Sequence, residues 1–446
     1  MPEKWLFKRI DNSALILFRV CFGFLLVAQS WGSLLTGYVT EKISPLQFSF
    51  NFIGLDFIQP LPGIWMYLFF IVMGLFGIGV MLGYKYRWSI ALFTLFWAWF
   101  YFMHKANYNN HYYLLLLLCV FMLIAPASAY WSLDVKGHPE KAKTHMPRWV
   151  LLFIILQLGI VYTYAALAKI YPDWLDGNVA RQLLAAKAGT PIIGQFIQQE
   201  WAVWMVAYYS IAFDLLIVPL MLWKKTRKWA FINAVFFHLF NSLVFQIGIF
   251  PYLALALFLF FFPGPYLQRL FLPHKKAHQK AEIIPIRHRR LLYAFLSIWF
   301  IVQLALPLRH WFIPGNVLWT EEGHRMSWRM MLRSRSGWST FKIVDKTSKK
   351  ELYVQKSDYL TPDQINATAT HADMIWQFAQ YLKKQYAKEN KEIAVYVEAW
   401  VSVNGRKPEV YIKPEVDLAQ AKWNYFGHNT WIMPEKKQFQ KAFPIK

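Results

Sequence analysis

Residues 229–262 read WAFINAVFFHLFNSLVFQIGIFPYLALALFLFFF. As a single helix this almost wholly apolar run would be roughly 50 Å long. A bilayer core is about 30 Å thick, so the run is too long for one crossing. Gly248 and Pro251, in the segment QIGIFP, supply the break. The stretch therefore reads as two spans, 229–245 and 248–263, with His238 and Asn241 inside the first. Seven further apolar segments repeat the pattern: 13–36, 64–83, 88–104, 112–127, 149–169, 201–223 and 291–307. The expected architecture is a polytopic α-helical membrane protein of about nine spans.

Composition agrees. Of 446 residues, 57% are hydrophobic and only 16% are charged, against about a quarter charged in soluble domains. The two cysteines, Cys21 and Cys119, both lie in apolar runs. They build neither a disulfide framework nor a CxxC metal site. The first apolar segment carries Arg19 and lacks a small-residue cleavage motif, so it reads as a span rather than a removable leader. The net charge of +23 would suggest nucleic acid in a soluble protein. Here it sorts by side. Connections on the N-terminal side hold about four times as many Lys and Arg as those on the other side. This bias places the N-terminus in the cytoplasm and needs no nucleic-acid partner.

The boundary falls at residue 307. Residues 1–307 form the membrane part, and residues 308–446 an extracytoplasmic α+β domain. FKIVDKTSKKELYVQ alternates as strands do, 362–388 has helical spacing, and IAVYVEAWVSVNGRKPEVYI reads as a hairpin turning at Asn404-Gly405.

Ionisable groups at membrane depth are costly and each is a functional candidate. Arg19 and Asp214 fall toward the inner halves of their spans and are expected to form a structural ion pair. Asn110-His111, Lys169, and His238 with Asn241 come from three segments that end in the outer leaflet. Each alone has a plain reading: a lysine at a helix end anchors it, and a buried histidine is often merely hydrogen-bonded. Together they suit a lipophilic, quinol-like or sterol-like substrate, with a buried amine serving as base. The outer histidines lack paired spacing and carboxylate partners, so no metal is expected.

The residues that carry a family likeness are spread along the chain. They include LPGIWMYLFF and VMLGY (61–84), NNHYYLLLLL (109–118), YWSLDV (130–135), YAALAKIYPDWLDG (164–177) and FHLFNSLVFQIGIFPY (237–252). EGHRMSWRMMLRSRS (322–336), HADM (371–374), EAWVSVNGR (398–406) and PEVDLAQAKW (414–423) continue it. In these the chain resembles the vitamin K-dependent γ-glutamyl carboxylase family, whose membrane portion is shared with HTTM-domain proteins. Its length is similar to that of the shorter, prokaryotic-like form. The resemblance implies that reduced vitamin K (phylloquinol or menaquinol) reacts with O2 and ends as the epoxide. That reaction drives removal of a γ-proton from a protein glutamate and addition of CO2.

By the same resemblance, Lys169 is the base toward the hydroquinone. His111 and His238 complete the catalytic set, with Asn110 and Asn241 expected at the cofactor. His324, Ser327, Trp328, Met330, Met331 and Arg333 fall where the glutamate substrate is held. Arg329 stands where the animal enzymes have an acidic residue, and Arg333 where they have a histidine. Expected partners are a glutamate-containing protein or peptide, the lipid bilayer and a quinone reductase. Two other readings stay open: quinol epoxidation without carboxylation, and a non-enzymatic lipid or quinone carrier.

Overall fold

The computed structural model describes residues 2–191, 193–276 and 289–436. Every apolar segment is helical: α1 Ser13–Leu35, α2 Ile64–Leu82, α3 Tyr86–Met103, α4 Asn110–Ile124, α5 Arg148–Ala168, α6 Glu200–Leu222, α7 Arg227–Phe245, α8 Phe250–Phe261 and α9 Arg289–Phe312. Among the described residues, six of these are long and apolar enough to cross a membrane. The count is seven if α8 and the following helix Gly264–Phe271, bent by 118°, make one span. The shortfall from nine has a geometric cause. At 15 residues, α4 is only about 22 Å long, short of a bilayer core. α3 is diluted by Trp and Tyr, and α8 is stopped by the bend.

Glycine sets the closest helix pair. A Cβ on Gly23 would lie 2.4 Å from the Met81 backbone, and one on Gly74 would fall on the Trp31 indole. Small residues let α1 and α2 approach until Trp31 Nε1 reaches Ile71 O at 3.2 Å. A two-stranded ribbon, β1 Arg9–Asp11 with β2 His145–Pro147, ties together the starts of α1 and α5. These helices therefore run the same way. The second turn of α1 and the C-terminus of α5 lie toward opposite ends of the bundle, about 20 Å apart along the axis.

That geometry overturns the expected Arg19–Asp214 pair. Arg19 instead donates to the carbonyls of Ala127, Tyr130 and Trp131, at 3.3, 3.4 and 2.5 Å. It ties down the loop that follows α4. Asp214 meets Lys169, just past the far end of α5. Trp174 Nε1 donates to Ala207 O at 2.9 Å, which sets residue 207 level with the turn beyond α5. Asp214 is then roughly 10 Å deeper.

The C-terminal part is a four-stranded antiparallel sheet in the order β4-β3-β5-β6, covered on one face by α10 Pro362–Thr370 and α11 Ala372–Lys388. The central pair runs from Arg335↔Val403 to Asp345↔Ile393, joining β3 Arg335–Asp345 to β5 Ile393–Val403; β4 is Glu351–Tyr353 and β6 Glu409–Val410. Ile375, Phe378 and Leu382 on α11 pack on Phe341, Ile343, Val395 and Val397. Burying each such side chain is worth about 1.5–3 kcal/mol. The hairpin turns at Asn404 (φ 55°) and Gly405 (φ 72°), with Arg406 N to Val403 O at 3.2 Å. Two consecutive left-handed residues suit the strand twist. The helix expected over 362–388 is divided at His371, which is extended (φ −123°, ψ 115°).

Loops of the bundle enter this second core. Phe48 packs on Tyr381 with ring centroids 4.4 Å apart, and Phe50 is fully buried. Lys105, between α3 and α4, reaches Asp373 at 2.5 Å and Gln377 Oε1 at 2.7 Å. Asp173 accepts from Asn404 at 2.8 Å and from Arg406.

Candidate active site

Two adjoining cavities open where the bundle meets the C-terminal part. They share a wall made of His111, Ile247, Phe250, Met330 and Met331.

The first cavity, about 380 Å³, is an apolar chamber. Phe236, Phe237, Phe240 and Phe245 line it, and Lys169, Asp214, His238 and Asn241 are its polar contributors. Two π-helical turns shape it, Met205–Tyr209 in α6 and Asn241–Phe245 ending α7. Such turns widen a helix locally and often mark functional sites.

Lys169 caps the C-terminus of α5 and is buried. Its amine is not isolated. Nζ lies 2.5 Å from Asp214 Oδ2 and 5.6 Å from the centre of the Trp174 ring. His238 is fully buried among Phe213, Phe237, Phe250 and Phe258. Its Nε2 meets the Tyr162 hydroxyl at 3.0 Å, while Nδ1 has no hydrogen-bond partner. An orphaned buried polar atom of this kind calls for a ligand group. Asn241 faces the chamber, but its Nδ2 is engaged by Phe237 O at 2.9 Å.

The second cavity, about 530 Å³, is polar. It is lined by Lys105, Asn110, Glu321, His324, Arg325, Arg329, Arg333 and His371. Asn110 belongs here rather than to the apolar chamber. Its Oδ1 accepts from Tyr108 at 2.9 Å and its Nδ2 donates to Arg329 O at 3.0 Å. It therefore fixes the wall of the polar cavity. Burial would raise the Glu321 carboxyl, but Arg333, His324 and Arg335 hold it well below the usual range. Burial and Arg333 push His324 well down, and burial lowers His371 to about 4. Burial lowers Lys105 to about 8 against the pull of Asp373.

The segment MSWRMM (326–331) gives the partition Met330 and Met331, and its backbone is strained. Met326 (φ 57°), Trp328 (φ 57°) and Met331 (φ 51°) are left-handed without being glycine. Each costs on the order of 1–3 kcal/mol and persists only where the surroundings enforce it. Residues 329–333 in succession line the polar cavity. Met330 and Met331 face both cavities, and His324 and Arg333 face the polar one. Ser327 is buried on Gly323 O at 2.7 Å. Trp328 packs on Tyr113 at 5.1 Å. Neither lines either of the two cavities, and both shape the coil.

His111 and Phe250 meet within the shared wall. Their rings stack 4.0 Å apart at 16°. Four contributors were not expected from sequence: Tyr162 on His238, Trp174 on Lys169, and the carboxylates Glu321 and Asp373. Trp174 and Asp173 sit in the YPDWLDG turn and Asp373 in HADM, so those stretches already held the signal. Tyr171 of the same turn donates to Leu332 O, joining the lysine segment to the partition.

A family model described as HTTM domain matches residues 7–265. A second, described as vitamin K-dependent gamma-carboxylase, lumenal domain, matches residues 288–438. No solved structure matches the chain.

Proposed function

The chain belongs to the vitamin K-dependent carboxylase family, and from that premise we propose that it couples quinol epoxidation in the apolar chamber to carboxylation of a peptide glutamate in the polar one. One observation carries this reading. The two cavities share a single wall, and the chemistry of each matches one half of such a reaction.

The apolar chamber fits a naphthohydroquinone. Its volume falls within the usual range for small-molecule sites, about 300–1,000 Å³. Its walls are phenylalanine, and the orphaned His238 Nδ1 offers a hydrogen bond to a ring oxygen. Lys169, His238 and Asn241 would hold the head group. When bound, the group supplies the driving chemistry, since its reaction with O2 to the epoxide yields the base strength that removes a γ-proton.

Lys169 and Asp214 together carry no net charge. Accepting one proton from a phenolic hydroxyl leaves the pair with a single positive charge beside the anion it has made. No uncompensated charge is then buried at either stage, which is the condition a low-dielectric site imposes. The proton belongs to the pair rather than to either atom. Among the described residues, His111 is the one titratable group facing both cavities, which places it to hold or pass a proton between them. Ile247, Phe250, Met330 and Met331 keep that boundary dry, so competing water is excluded. The cationic lining of the polar cavity receives the glutamate side chain, with CO2 as co-substrate.

The reading extends to topology. The excess of Lys and Arg places the N-terminus in the cytoplasm. On this reading α3, α4 and α8 cross beside the six longer helices, a short span being met by local thinning of the bilayer; that makes nine spans over residues 1–307, and residues 308–446 and both cavities then lie on the extracytoplasmic side. Because the quinol ends as epoxide, a reductase must restore it.

The test uses purified protein in nanodiscs with reduced vitamin K, labelled CO2 and a Glu-containing peptide. Epoxide together with peptide-bound label is expected. Epoxide without label would reduce the activity to quinol epoxidation. Lys169→Ala should abolish epoxide while quinone still binds; a carrier would be indifferent to that change.

A further inference from the structure

The cations of the polar cavity are unequally satisfied. Lys105 and Arg325 share Asp373, at 2.5 and 2.6 Å. Arg333 and Arg335 share Glu321, at 2.5 and 3.4 Å. Among the described residues, Arg329 has no carboxylate within ion-pair distance. Its Nη1 makes a contact of 3.5 Å with His310 Nε2, at the limit of a hydrogen bond, and its Nε is buried without a partner. A guanidinium presents its donors as a planar fork that matches a carboxylate. One left unneutralised on a cavity wall is a vacancy for an anion.

Arg329 is also rigidly placed. Its carbonyl accepts from Asn110 Nδ2, next to His111 on the shared wall. Left-handed Trp328 precedes it, and Met330 and left-handed Met331, which line both cavities, follow it. An anion held by Arg329 therefore sits in the polar cavity beside the boundary, rather than out on the rim.

We propose that Arg329 is the binding residue for the side-chain carboxylate of the incoming glutamate, while Arg325 and Arg333 stay engaged by their own carboxylates and shape the cavity. This rests on the glutamate-carboxylating reading above. It makes a prediction of its own: discrimination between Glu and its uncharged isostere Gln is set at this one side chain.

The experiment measures direct binding, without CO2, of a short Glu-containing peptide and its Gln counterpart to the full-length protein in nanodiscs. Wild type, Arg329→Gln and Arg329→Lys are compared, with quinone binding as the check on folding. Charged hydrogen bonds of this kind are worth about 10- to 100-fold in affinity. Wild type should prefer the Glu peptide by about that factor. R329Q should lose the preference with quinone binding intact. R329K should recover part of it, having the charge without the fork. The proposal is overturned if R329Q keeps the wild-type preference, or if wild type shows none. Should R329Q fail to fold, R329K with an undiminished Glu affinity and full bidentate-level preference overturns it as well. A wild type that binds Glu through Arg329 but fixes no CO2 supports the binding role and counts against the carboxylase reading alone.

Discussion

Replacing Asp214 by Asn removes one charge from a buried pair and keeps the shape. The amine and carboxylate lie 2.5 Å apart with side chains 9% and 6% exposed. At an effective dielectric of about 20, their attraction is about 7 kcal/mol. Desolvation of both ions cancels much of this, and removing one partner from such a pair costs about 3–5 kcal/mol. At about 2.1 cal/mol/K of unfolding entropy per residue, a unit the size of residues 1–307 loses about 1.5 °C per kcal/mol. A fall of about 5–8 °C in the unfolding midpoint is therefore expected, followed by tryptophan fluorescence in nanodiscs. Lys169→Met combined with Asp214→Leu should recover most of it, because an apolar pair of similar volume leaves no stranded charge. The same Asp214→Asn protein should lose quinol epoxidation as fully as Lys169→Ala does. If Asp214→Asn melts within about 1 °C of wild type and still makes epoxide, the two groups are not one unit, and the proton-accepting pair is wrong.

Phe250→Ala opens the shared wall and removes the ring that stacks on His111; it should cost about 3–5 kcal/mol. The ratio of epoxide to fixed CO2 should rise, as measured by dual-label assay. Burial depresses His371 to about 4, so its neutral form is the folded one. The unfolded chain then binds the extra proton, and stability is intact above pH about 6.5 and falls as pH drops toward 4. Melting across that window should show the slope, and His371→Gln should flatten it. Asp173→Ala strands the Asn404 amide and a contact of Arg406. It should loosen the hairpin by about 2–3 kcal/mol, read as faster proteolysis after Val403.

The helices were legible because the periodic signal in a membrane chain is strong: apolar runs of bilayer length leave few alternatives. Even the break at QIGIFP and the turn at Asn404-Gly405 follow from local backbone chemistry. Depth proved harder. Arg19 and Asp214 each sit well inside a span, but depth counted from loop boundaries does not say how far α6 overshoots the end of α5, nor which helices adjoin. Lys169 could be singled out, yet its partner could not, because that depends on a π-helical turn invisible in the sequence. The placing of Ser327 and Trp328 off the cavity walls was not legible for a related reason. A motif marks a segment, and three left-handed residues then decide which of its side chains turn toward the cavities. Asn110 lines the polar cavity alone, while its neighbour His111 faces both, a distinction that sequence adjacency does not carry.

The Lys105–Asp373 contact, reinforced by Gln377, has a consequence for biogenesis. During translation the loop carrying Lys105 emerges some 270 residues before its carboxylate and must wait, hydrated or shielded by a chaperone, until α11 docks. A truncated product ending after α9 would leave that ammonium without its counter-ion and Phe50 without its cover. Expressing the helical portion alone should yield an aggregation-prone remnant rather than a quinone-binding core.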